Sequence, residues 1–137
     1  RSPYNNKVLI YALDRILHMF VTETRFDMPK AFQSSDFFKD YYGVIVDNNI
    51  SIERIRLKVS SRQANYLRSL PLHSTQVELD KTDDYSIFDL EVHPTFDFIQ
   101  ELLKHGEELE ILSPDWLRKD MAKKIKQMWN NYSKEDL

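Results

Sequence analysis

A chain of 137 residues is long enough for one compact domain, or for one small domain with a piece of another. Apolar residues make up 42% and charged residues 30%, with 19 Lys and Arg against 22 Asp and Glu, which is the composition of a globular protein rather than a disordered one. The chain holds two Gly and no Cys, where ordinary usage would give roughly nine or ten Gly. That excludes Gly-rich phosphate loops and dinucleotide fingerprints, and it removes disulfides, thiolate zinc sites and Cys nucleophiles.

The longest apolar run, Val8 to Leu13, is six residues, far short of the ~20 that a membrane-crossing helix needs. The chain begins on Arg1 rather than Met, with no basic-then-apolar leader. The expectation is therefore a cytoplasmic fragment of something longer, with no membrane partner.

Lys7 to Phe26 is rich in β-branched, aromatic and aliphatic residues, with a corner near Leu13-Asp14-Arg15. This predicts two strands, over about 7–13 and 15–26. Met28-Pro29 ends the second, and Ser34 or Ser35 caps a short helix running to Tyr42 before Gly43. Asp47-Asn48-Asn49 is the strongest turn cluster and the expected boundary, dividing the chain into 1–47 and 50–137.

Beyond the boundary the pattern is regular. Ile55, Leu57 and Val59 alternate with Arg54, Arg56 and Lys58, the period of a half-buried strand. Ser60 or Ser61 caps a helix carrying Ala64, Leu67 and Leu70, which Pro71 ends. Thr75, Val77 and Leu79 alternate with Gln76, Glu78 and Asp80 in a second strand. A turn at Asp83-Asp84 leads to a third strand with Phe88, Leu90 and Val92 on one side. Thr95 caps a helix with Ile99, Leu102 and Leu103 inward, and Gly106 stands where a left-handed C-cap belongs. A short strand, Leu109 to Leu112, precedes Ser113-Pro114-Asp115, an N-cap with Pro at the first helical position. The last helix has a stripe at Leu117, Met121, Ile125, Met128 and Tyr132. The expected fold class is α+β: a ferredoxin-like βαββαβ domain of strand order 4-1-3-2 with a C-terminal helix.

His18, His73, His93 and His105 are scattered, and none has a second ligand at metal spacing on one element, so no metal or cofactor is expected. No nucleophile elbow or oxyanion loop exists. A phosphatase of the acylphosphatase kind would need an Arg in a Gly-rich anion loop, which is absent. An enzyme is not expected.

Charge is strongly segregated. Residues 1–49 are neutral, 50–72 carry +4, 73–113 carry −9 and 114–137 carry +2. Arg54, Arg56 and Lys58 therefore form a candidate surface for a ligand or nucleic acid. In the expected strand order Ile87, Asp89, Glu91 and His93 share their open face, with Glu110 on the other side. Pairing of these charges within the sheet competes with a polar interface and with free nucleic-acid binding. On the last helix Arg118, Lys119 and Lys123 flank the stripe, with Trp116 and Trp129 near its ends. These five residues make a candidate association surface, against the plainer reading of a solvated helix face.

Two stretches carry a resemblance. Tyr11-Ala12-Leu13-Asp14-Arg15-Ile16, with Phe26, Pro29 and Phe32, resembles the end of the WYL domain of bacterial transcriptional regulators. The region from Ile52 to Tyr132 resembles that family's C-terminal extension, the WCX domain. It does so through the Ser-Arg-Gln-Ala-x-Tyr-Leu helix, Pro71 to Gln76, Phe98 to Gly106, and Leu112 to Arg118. The resemblance implies that 1–47 is the β-rich remnant of a small Sm-like barrel with a short helix. It implies an effector-sensing and dimerising region, a homodimer, and an effector of the nucleotide or single-stranded nucleic acid class. DNA would be bound through a helix-turn-helix domain not in this chain. The chain departs from the family in having Ala12 where the corner motif has its first Arg, so only Arg15 is carried over as a sensor residue, and a local salt bridge with Asp14 is the competing role. The alternative function is a small-molecule-binding regulatory module on a ferredoxin-like sheet.

Overall fold

The computed structural model describes residues 9–27 and 32–133. The chain divides into two compact units, Arg1–Ala31 and Phe32–Leu137. In the first unit the described residues form one 3-10 turn, Leu13–Arg15, closed by the Arg15 N–H on the Ala12 carbonyl at 3.1 Å. The strands expected over 7–13 and 15–26 are not formed among the described residues, and Leu13, Leu17, Phe20, Val21 and Phe26 are all exposed. High β-propensity produces a strand only where a neighbouring strand takes up its hydrogen bonds. Residues 7–8 and Met28-Pro29 lie outside the described residues.

The second unit is α+β. A five-residue helix, α1 (Ser34–Phe38), is shorter than expected. It precedes β1 (Glu53–Ser60), α2 (Ser61–Ser69), β2 (Val77–Lys81), β3 (Tyr85–Val92), α3 (Phe96–Lys104), β4 (Leu109–Ser113) and α4 (Asp115–Tyr132). The four strands form one antiparallel sheet in the order β2-β3-β1-β4. Ile55, Leu57 and Val59 of β1 and Phe88, Leu90 and Val92 of β3 are buried with Ala64, Leu67, Phe98, Ile99, Leu102, Ile111 and Leu117. The core therefore lies on one face of the sheet, and alternation sends the β1 cations to the other face.

Local chemistry explains most boundaries. The Ser60 hydroxyl accepts the Gln63 N–H at 3.2 Å and so caps α2. Leu70, expected on the inward stripe, is instead 79% exposed, with φ −136°. The residue before a proline is driven out of the helical region, and Leu70 precedes Pro71. Gly106 has φ +55° directly after the α3 cap, as a left-handed C-terminus requires. Pro114 stands at the N-cap of α4 rather than at its first helical position, with its carbonyl taking the Leu117 and Arg118 N–H groups.

β2 differs most from its pattern. Its register shifts between Glu78 and Asp80, and Val77 and Leu79 are 56% and 47% exposed. Glu78 lies opposite Phe88, on the helix side, where Arg68 neutralises it. A bulge and an inward carboxylate blunt this sheet edge against pairing with another strand.

Candidate functional site

The open face of the sheet carries a fixed cluster of charge. Arg54 lies opposite Glu91, Arg56 opposite Asp89, and Lys58 between Ile87 and Glu110. Asp89 is only 5% exposed. Its Oδ2 accepts from Arg54 Nε and Arg56 Nη2, each at 2.9 Å, and its Oδ1 accepts from Arg56 Nε at 2.7 Å. The Arg56 hydrogen bonds, helped by Arg54, hold the Asp89 carboxyl below its usual range despite a burial that pushes the other way. The guanidinium groups themselves stand out in solvent, their side chains 66% and 44% exposed.

Lys58 does not take Glu110. Its ammonium lies 4.5 Å from the centre of the Tyr85 ring, a cation–π contact. Glu110 is drawn off by Arg118 of α4 at 2.7 Å. Arg118 also donates to the Ile111 carbonyl at 2.6 Å, tying the start of α4 to the edge strand β4.

Along α4 the apolar stripe divides in two. Leu117 and Met121 are buried against the sheet domain, whereas Ile125, Met128 and Tyr132 are 54%, 47% and 88% exposed. Met121, Ala122, Ile125 and Met128 form one wall of a groove of about 450 Å³, with Leu102, Leu103, Leu109 and Ile111 opposite. Glu107, Glu110 and Arg118 also line it. At 3.6 residues per turn, Trp116, Lys119 and Lys123 share one side of α4, while Arg118 and Trp129 share another. The five association residues thus belong to two patches. Lys119 is engaged by Asp115 at 2.6 Å, and Lys123 has no ion pair among the described residues.

Elsewhere the polar groups have structural employment. Arg68 grips Glu78 through Nε and Nη2 and also reaches Ser86 and Asn65. His73 bonds Thr75 and the Lys39 carbonyl, and His93 bonds the Ile50 carbonyl and stacks on Tyr41 with ring centres 4.2 Å apart. His105 is pushed down by burial, and its buried Nε2 has no hydrogen-bond partner among the described residues. No group of three or more metal-ligating side chains is found among the described residues, nor is any helix there long and apolar enough to cross a membrane.

The WCX domain family model matches residues 51–129, more than half of the chain. This chain belongs to the WCX domain family. WCX domains are the C-terminal extensions of WYL-domain regulators, as the motifs from Ile52 onward indicated. No curated protein matches the chain.

The WCX match starts at Ser51, yet the compact unit starts at Phe32. The intervening segment is strapped to the WCX sheet. The Asp40 carbonyl accepts the His93 N–H at 2.9 Å, Tyr42 packs edge-on against Phe98, and Ile45 N–H reaches Asp97 at 3.3 Å. A side chain at Gly43 would collide with the Asp97 carboxylate. None of these contacts has a local sequence signal, because each joins residues more than fifty apart. Tyr85 was readable in principle, since it has the same strand parity as Ile87 and Asp89. Arg15 lies on the exposed 3-10 turn of the other unit, with no ion pair to Asp14 among the described contacts.

Proposed function

We propose that this chain is the C-terminal, effector-responsive and self-associating region of a bacterial transcriptional regulator, working without enzymatic chemistry. On this reading the sheet domain is a ferredoxin-like βαββαβ unit, and DNA is engaged by a helix-turn-helix domain outside this chain. The proposed assembly is a homodimer. The observation that carries it is the outer half of α4: Ile125, Met128, Trp129 and Tyr132 are exposed beside an apolar groove. A second copy of α4 would supply apolar side chains to that groove. Two-fold symmetry makes each copy both donor and receiver. Sedimentation equilibrium at micromolar concentration tests this directly. A dimer is expected, and a monomer across that range refutes the assembly.

The alternative of a ligand-binding module on the sheet is favoured by a separate observation, the Arg54–Asp89–Arg56 cluster with Lys58 beside it. The two roles are compatible, since α4 and the open face are different surfaces. Arg15 is retained as a sensor residue on the strength of the WYL-like corner motif alone. Its test is effector binding by the full-length regulator after Arg15→Ala, and unaltered affinity removes the assignment.

A further inference from the structure

We propose that the open face of the WCX sheet is a site for a phosphate monoester, gripped by the guanidinium edges of Arg54 and Arg56 that Asp89 leaves free. This deepens the ligand-binding part of the reading above and depends on it. Each guanidinium has five N–H donors. Asp89 engages only Nε of Arg54, and only Nε and Nη2 of Arg56. Both Nη groups of Arg54 and Nη1 of Arg56 are therefore left without a protein acceptor among the described residues.

The buried carboxylate does more than neutralise. By holding both side chains at Nε, it fixes two long, entropically costly arms before any ligand arrives. The free edges belong to residues two apart on one strand, whose side chains leave the same face roughly 7 Å apart. One carboxylate ligand fills a single guanidinium fork. A phosphoryl group offers three oxygens and can take donors from both forks at once.

Three cations share this face with Asp89 and Glu91 of β3 and with Asp80 of β2, which stands opposite Ile87, while Glu110 is engaged by Arg118. The hold on an anion therefore comes from the free N–H donors rather than from net charge. Lys58 is held over Tyr85 without an acidic partner among the described residues, so it is available to the same anion. Half-buried Ile87 and exposed Val77, the latter opposite Asp89 across β3, lie next to the forks. They give the organic part of an ester an apolar resting place, which a free inorganic anion would not use.

The test is a calorimetric titration of the intact chain with phenyl phosphate, with inorganic phosphate, and with a short single-stranded oligonucleotide, all at one ionic strength. Saturable binding of phenyl phosphate, tighter than inorganic phosphate, is expected. Arg54→Ala should weaken it about tenfold or more while lowering Tm less than Arg56→Ala does, because Arg56 keeps its two-point hold on Asp89. Lys58→Gln should weaken it less, and Lys123→Ala not at all. Absence of saturation, equal affinity in Arg54→Ala, or binding of the oligonucleotide alone overturns the proposal. Sedimentation of the same samples separates the readings: a dimer that ignores phenyl phosphate removes only this site, and a monomer that binds it removes only the assembly.

Discussion

Truncating Ile125 and Met128 to Ala should dissolve the proposed dimer while leaving the fold intact. The two side chains retain 54% and 47% of their exposure. Complete burial of a large aliphatic side chain is worth roughly 1.5–3 kcal/mol, so covering the exposed half is worth ~1 kcal/mol apiece. Two side chains from each of two protomers make ~4 kcal/mol, which is about a thousandfold in Kd at ~1.4 kcal/mol per tenfold. Ala is the best helix former, so the substitution does not unwind α4. Leu117→Ala provides the contrast, because Leu117 is fully buried and its truncation should cost the folded domain ~3 kcal/mol or more. Sedimentation equilibrium reads the first effect and denaturant unfolding the second. An Ile125→Ala/Met128→Ala protein that associates as tightly as the wild type would show that the outer stripe is not the interface.

Three further outcomes follow from the geometry. The Arg68 hydrogen bond lowers the Glu78 carboxyl from 4.5 to about 2. Since the folded pKa is the lower one, the stabilisation is complete above pH 4.5 and disappears as the pH falls through about 2. Tm measured between those limits should fall less steeply in Glu78→Gln than in the wild type, and parallel curves would remove Arg68–Glu78 as the cause. Gly43→Ala should cost roughly 1–3 kcal/mol through collision with Asp97, and Asp97→Ala in the same chain should restore part of it; additive losses in denaturant unfolding would contradict the collision. Arg56→Ala should lower Tm more than Arg54→Ala, because only Arg56 holds both oxygens of the buried Asp89. The reverse order in thermal unfolding would mean that the cluster is not anchored as described.

The elements from β1 to α4 were readable because their signals are local. Strand alternation, a Ser N-cap and a Gly at a left-handed C-cap each concern a few neighbouring residues and act through the backbone. The N-terminal strands were not readable from propensity, since a strand needs a partner that composition does not supply. β2 shows the same lesson in a milder form: its register puts Val77 opposite Asp89 on the open face, and Leu79 falls in the bulge, so both apolar residues of the alternating pattern are exposed.

The candidate site divides in the same way. The sequence by itself placed Arg54, Arg56 and Lys58 on one face of a strand, and it placed the stripe of α4 on one side of a helix, because both follow from backbone periodicity. Which acids those cations meet was decided by strand register and by the placement of α4. Asp89 came beneath two arginines, while Glu110 was taken by Arg118 from α4. The division of the α4 stripe into a buried and an exposed half is likewise tertiary, set by where the sheet domain ends beneath the helix. Periodicity decides direction within one element, and only packing decides what stands opposite.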